Sequence, residues 1–262
     1  MSIKLVAFDM DGTALTSKKE LPPHINEQII RLHKKGIICA PATGRFYETV
    51  KDKFRDASNL MSCVACNGHE IYCEGKLISL SKFKPETVKM LTDFADQYED
   101  LFSTAFSLDE GFARSSVETW PRRAALEYGP MTLCSDYDLK HTTLIKCSFY
   151  STKNINVYCN LFNQVMRDAP QSVHGVVTSD ITFDVSLNGM NKGKGVQYLA
   201  QYLGIDMSEV MAIGDHMNDA EMLTLAGEGV AVANAIPELK AIASRVTVSN
   251  DDYAVLHELR KL

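Results

Sequence analysis

The sequence predicts an α/β protein, a doubly wound parallel sheet into which an α+β segment is inserted. Three observations carry that reading. Short, almost wholly apolar runs at residues 3–8, 37–40 and 210–213 have the character of strands buried on both faces, as parallel strands are beneath covering helices. Stretches with apolar residues at helical spacing separate such runs. The alternation stops near residue 83 and resumes near 188, and the hundred or so residues between follow a different rhythm. The expected division is therefore residues 1–82 with 188–262 as the core and 83–187 as an inserted domain.

The first apolar run ends in Asp9-Met10-Asp11-Gly12-Thr13. Loops at the carboxyl edge of an open parallel sheet converge on ligands. The two acids, with one residue between them, are expected to do different jobs. Gly12 permits a tight turn, and Thr13 can cap the next element. Residues 22–35 open on Pro22-Pro23, carry Ile25, Ile29, Ile30 and Leu32 at helical spacing and stop at Gly36. The second run then ends in Thr43-Gly44-Arg45, and a right-handed crossover brings Thr43 beside Asp9 on one edge. A hydroxyl and an exposed glycine amide are suitable donors to phosphate oxygens. A helix is expected over 46–60, then a strand over 63–66, the turn Asn67-Gly68 and a hairpin about Glu74-Gly75.

Within the insertion the spacing predicts helices over 85–98, near 119–128 and near 154–167. Strands are expected over 102–106, 112–114, 144–150, 173–178 and 181–186. The first rhythm then returns. A loop containing Lys192 leads into a helix closed by Gly204, and the run 210–213 ends in Gly214-Asp215-His216-Met217-Asn218-Asp219. A helix around Met222 and Leu223, a strand over 229–233, a helix over 237–243, a short strand at 246–248 and a terminal helix complete the chain.

Composition narrows the function. The chain has 262 residues, 45% hydrophobic and 23% charged, with a formal charge of −6 and both signs interspersed. Neither a nucleic acid nor an anionic membrane surface suits that balance. No run approaches the roughly 18 apolar residues of a membrane span. The first strand begins at residue 3, which leaves no room for a cleavable signal, so a cytoplasmic location is expected. The seven cysteines are odd in number and mostly set in apolar stretches, as reduced thiols are. Cys63 and Cys66 have chelating spacing but lie in an expected strand, where residues three apart face opposite sides.

Four loops thus supply, in chain order, an Asp-x-Asp, a threonine, a lysine and a Gly-Asp-x-x-Asn-Asp. That ordered set resembles the haloacid dehalogenase-like (HAD) phosphohydrolases, and more narrowly the Cof-type subfamily, with a Rossmann-like core and a large (type IIB) α/β cap inserted after the third strand. The resemblance covers essentially the whole chain and is most specific at residues 9–13 and 214–223. It implies that Asp9 is a nucleophile forming an aspartyl phosphate, and that Asp11 protonates the leaving oxygen and then deprotonates water. It implies a Mg²⁺ ion held by Asp9, the main-chain carbonyl of Asp11, and Asp215. Lys192 would add positive charge, Thr43, Gly44 and Asn218 would bind the phosphoryl group, and Asp219 would orient Lys192 or a metal-bound water. Arg45 falls outside this core set, and His216 is expected to be solvated. Ala14, the pair His216-Met217, residues 231–235, which lack a glycine, and the pair Asp252-Tyr253, which stands where an acidic-Gly pair is usual, depart from the family pattern without touching a catalytic atom.

The implied substrate is a small phosphorylated metabolite, a sugar phosphate first and phosphorylated cofactors second. Trp120, Arg122, Arg123 and Tyr128 of the cap, with Asn67 and Gly68 of the core, are the candidates to meet its leaving group. Hinges are expected near residues 81–84 and 188–190. A phosphomutase or phosphotransferase of the phosphomannomutase type is the enzymatic alternative, and a catalytically silent binder of phosphorylated ligands the other. The oligomeric state, monomer or dimer, is left open by the sequence.

Overall fold

The structure is a computed structural model that describes residues 2–108, 110–114, 131–133, 143–169 and 171–262. The chain divides into two compact units, Met1–Leu80 with Met190–Leu262, and Ser81–Gly189. The helix expected near 119–128, and with it Trp120, Arg122, Arg123 and Tyr128, lies outside the described residues.

In chain order, the first unit begins with β1 (Leu5–Phe8), α1 (Ile25–Lys34), β2 (Ile38–Pro41), α2 (Tyr47–Phe54), β3 (Cys63–Ala65), β4 (Glu70–Cys73) and β5 (Lys76–Leu80). The second unit continues with α3 (Pro85–Ala95), β6 (Phe102–Phe106), β7 (Gly111–Arg114), β8 (Met131–Leu133), β9 (Lys146–Tyr150), α4 (Ile155–Val165), β10 (Val173–Ser179) and β11 (Thr182–Leu187). The first unit resumes with α5 (Lys192–Leu203), β12 (Val210–Gly214), α6 (Ala220–Leu225), β13 (Glu228–Ala231), α7 (Pro237–Ile242), β14 (Arg245–Val246) and α8 (Ala254–Lys261).

The core sheet has the order β14-β13-β12-β1-β2 and is parallel throughout. Every residue of β1 is buried, as a central strand covered on both faces requires. Phe8 is level with Ile213 on one side and Pro41 on the other, so the three strands finish together. The ladder runs one step further: the Asp9 amide donates to the Ile213 carbonyl at 2.9 Å, and that of Ala42 to Phe8 at 2.8 Å. Strand β3 continues this edge through a single parallel bridge, Ala42 to Val64, before turning into the antiparallel meander β3-β4-β5.

The expected helix over 46–60 is shorter. It ends at Arg55, whose φ of 39° leaves the helical region, and residues Arg55–Leu60 form a 3₁₀ turn in which the Ser58 hydroxyl donates to the Arg55 carbonyl at 2.6 Å. Asp, Ser and Asn here compete for backbone groups that an α-helix would use. Tyr253 occupies the left-handed region with φ 64°, a conformation that glycine adopts at lower cost.

The second unit is a six-stranded sheet in the order β10-β11-β9-β6-β7-β8, antiparallel except for the β7–β8 pair. Its core includes the fully buried Phe162 of α4, whose ring centroid lies 5.3 Å from that of Phe94, 5.5 Å from Phe149 and 5.4 Å from Phe183. Truncation there leaves a cavity among rigid rings. Phe162→Ala is expected to destabilise this unit by about 3–5 kcal/mol, read as a lowered urea midpoint; a loss below about 1 kcal/mol would show that the cluster repacks.

Candidate active site

Asp9, one residue beyond β1, is 5% exposed. Its Oδ1 accepts a hydrogen bond from Lys192 Nζ at 2.6 Å, and the same ammonium donates to Asp219 Oδ1 at 2.7 Å. Lys192 is the first residue of α5, and its position depends on how closely that helix lies against its neighbours. A Cβ on Gly195 would fall 2.4 Å from Val64 of β3, and one on Gly193 2.8 Å from Glu221 and Met222. Only glycine lets the backbone approach so closely. Asn191 caps α5, accepting from the Lys194 amide at 2.9 Å while its own amide donates to Glu221.

Asp215 comes directly after β12 and accepts from the buried Thr13 hydroxyl at 2.9 Å. Gly12 passes directly beneath it: φ is +83°, and a Cβ would lie 2.4 Å from Asp215 Oδ2. Asp219 is fully buried, and both its oxygens are engaged, Oδ1 by Lys192 and Oδ2 by the amides of Asp215 at 3.0 Å and His216 at 3.3 Å. Its carboxylate therefore holds the lysine and the loop.

The electrostatics of the cluster are set by burial. Ligand oxygens of Asp9, Asp215 and Asp219 lie within 4.8 Å of one another, and among the described residues this is the one His/Cys/Asp/Glu group able to hold a metal. Burial pushes the Asp9 carboxyl well up, Lys192 opposes this, and Asp219 and Asp215 add to it. Burial and Asp219 also raise Asp215. For Lys192, burial pulls downward but Asp219 and Asp9 overrule it, so the ammonium stays charged.

The Asp11 carboxylate is elsewhere. The strand stops at Phe8, residues 10–13 turn, and Asp11 is clamped by Arg45, whose Nε and Nη2 donate at 2.6 and 2.8 Å, and by Lys19 Nζ at 2.8 Å. Burial would raise this acid, but these bonds win and hold it well below the usual carboxylate range. Arg45, left outside the core set by the sequence, is thus a partner of the site. Its signal was its place directly after Thr43-Gly44; Lys19, in an irregular loop, gave none.

Thr43 is buried, and its hydroxyl accepts from the Arg45 amide at 3.1 Å. Gly44 lies against the Asn67 side chain. Asn218 and His216 are exposed in the loop after β12. Asn234 donates to the Gly12 carbonyl at 2.8 Å and so ties down the turn beneath Asp215, a role its sequence did not suggest. Cys63 and Cys66 do not converge: Cys63 lies in β3, whereas Cys66 has left-handed backbone and its thiol donates to Glu70 at 3.1 Å.

A buried carboxylate–lysine cluster thus sits at the carboxyl edge of a parallel sheet, where enzymes of this α/β architecture bind their ligands. A family model described as haloacid dehalogenase-like hydrolase matches residues 6–259, and the chain belongs to that family. Among its relatives, an HMP-PP phosphatase of Cronobacter sakazakii is 29% identical over 91% of this chain and 87% of its own. A 5-amino-6-(5-phospho-D-ribitylamino)uracil phosphatase of Bacillus subtilis is 28% identical over 99% of this chain and 98% of its own. A crystal structure from Streptococcus mutans UA159 superposes with a TM-score of 0.89 at 23% identity, covering 99% of this chain and 98% of that one. No helix among the described residues is long and apolar enough to cross a membrane.

Proposed function

We propose that this enzyme hydrolyses phosphoric monoesters of small metabolites, sugar phosphates foremost, through a phosphorylated Asp9 and with Mg²⁺ as cofactor. The observation that carries the reading is the Asp9–Lys192 contact of 2.6 Å at the end of the central strand, with Asp215 beside it. The Asp9 carboxylate forms a bond to phosphorus as the ester P–O bond breaks, and Asp11 gives its proton to the departing alcohol oxygen. Water then attacks the phosphoaspartate, Asp11 takes its proton, and Asp9 is restored. For the first step Asp11 must be protonated, so Arg45 and Lys19 release it when substrate enters. Both cations are then available to the phosphoryl oxygens.

Three crowded carboxylates suit a hard cation with oxygen ligands. Because both Asp219 oxygens are engaged, Asp9 and Asp215, with the main-chain carbonyl of Asp11, are the residues that would hold Mg²⁺. When bound, the ion supplies charge that offsets repulsion between nucleophile and phosphate. Lys192, Thr43, Gly44 and Asn218 are assigned to the phosphoryl group, and substrate selection to the inserted domain, residues 83–187.

The two named relatives differ in substrate at nearly equal identity, so membership of the family leaves the substrate open. The test is phosphate release from sugar phosphates, nucleotides and phosphorylated cofactors. Removing Mg²⁺ with a chelator is expected to slow release by about 10³-fold, the several kcal/mol a catalytic metal supplies. Undiminished release would remove Mg²⁺ from the proposal. Transfer to an alcohol acceptor would point instead to a mutase, and binding without turnover to a silent regulator.

A further inference from the structure

The turn after β3 carries three successive residues of positive φ: Cys66 at 47°, Asn67 at 53° and Gly68 at 98°. Asparagine and glycine tolerate this region, but cysteine rarely adopts it, so the surrounding structure must impose the turn. The restraints lie on two sides. The Cys66 amide donates to the Arg45 carbonyl at 2.9 Å, and the Asn67 amide to the Thr43 carbonyl at 2.9 Å. Across the turn, a Cβ on Gly68 would fall 2.6 Å from the Asn191 carbonyl oxygen. The turn is thus wedged between the Thr43–Arg45 loop and the start of the Lys192 helix, the two segments assigned to the phosphoryl group.

The wedge delivers one side chain. The Asn67 carboxamide lies over Gly44, with Oδ1 and Nδ2 each 3.4 Å from where a Cβ on that glycine would be. Asn67 Oδ1 is buried and has no hydrogen-bond partner among the described residues. Buried acceptors are costly to leave unmet, and where one adjoins a binding loop a ligand donor is the natural partner. Phosphate oxygens are themselves acceptors, so the donor belongs to the alcohol part of the substrate.

We propose that Asn67 is a specificity-determining residue whose Oδ1 accepts a hydrogen bond from a hydroxyl or amino group borne next to the ester oxygen of the leaving alcohol. The enzyme then selects phosphates of polyhydroxylated alcohols over plain alkyl and aryl phosphates. This rests on the phosphomonoesterase reading of the same site.

The test compares glycerol 1-phosphate with propyl phosphate, which differ in the neighbouring hydroxyls, and uses p-nitrophenyl phosphate as a substrate without such donors. The parent enzyme is expected to favour glycerol 1-phosphate in kcat/KM by about tenfold or more. Asn67→Gly keeps the positive φ and removes the acceptor. It is expected to bring the ratio near one while p-nitrophenyl phosphate turnover stays within about twofold. Asn67→Asp retains an acceptor and is expected to retain the preference. A parent ratio near one, or an equal loss on all three substrates in Asn67→Gly, would overturn the assignment of Asn67 and leave the phosphatase reading intact. Absence of phosphate release from all three substrates and from sugar phosphates by the parent enzyme with Mg²⁺ would overturn that reading and this inference with it.

Discussion

Asp9→Asn is expected to abolish phosphate release, by on the order of 10⁴-fold or more in kcat, because in the proposed mechanism the group that bonds to phosphorus is gone. The substitution is nearly isosteric. The carboxamide oxygen of the variant can still accept from the Lys192 ammonium, now 2.6 Å from Asp9 Oδ1, so the buried lysine keeps two partners. The change is one of charge. Asp9 is buried beside two other carboxylates, and burial with these neighbours already disfavours its ionised form. Losing that charge lets an anionic substrate bind at least as tightly as before. The expected signature is a collapsed kcat with an unchanged or lower Kd, measured by phosphate release and calorimetry on the same preparation. A kcat within about tenfold of the parent would remove Asp9 as nucleophile, since no neighbouring group could replace covalent chemistry so well.

The parallel core was legible because buried strands leave wholly apolar runs. Asp9, Thr43 and Asp215 could be placed at one edge because each comes within two residues of the end of such a run. Lys192 was legible by its place before a helix, although its depth was not: close approach at Gly193 and Gly195 sets that, and it depends on Val64 and Glu221, far off in the chain. The Asp11–Arg45 pair was not visible for the same reason, since its members are 34 residues apart. Alternation along a continued strand would have put Asp9 and Asp11 on one face; they diverge because the chain turns after Phe8, and the strand does not run on to Asp11. The sheet order, with β1 between β12 and β2, and the parallel β7–β8 pair in the other unit arise from long-range pairing that local pattern does not encode.

Lys192→Met tests the other half of the cluster, and its largest effect is expected on stability as well as rate. Lys192 is 1% exposed, and its ammonium is the shared partner of Asp9 and Asp219, themselves 5% and 0% exposed. Methionine fills similar volume but leaves both acids buried without their cation. Removing one member of a buried ion pair costs about 3–5 kcal/mol, far more than the net worth of the pair. Catalysis should fall by about 10²–10³-fold, the usual loss when one preorganised charge facing the reacting group is removed. The stability loss should also depend on pH, with a definite sign. Lys192 works against the upward shift of Asp9, so deleting it raises that carboxyl further. A carboxyl whose folded-state pKa lies above its unfolded value binds its proton more tightly when folded. Its penalty is therefore absent at low pH and grows as pH rises through the folded pKa. With a chelator present, the melting temperature of the variant should lie closer to the parent's at pH 5 than at pH 8. A deficit that is the same at both values would mean that the damage is steric, and that Asp9 does not depend on Lys192 for its charge.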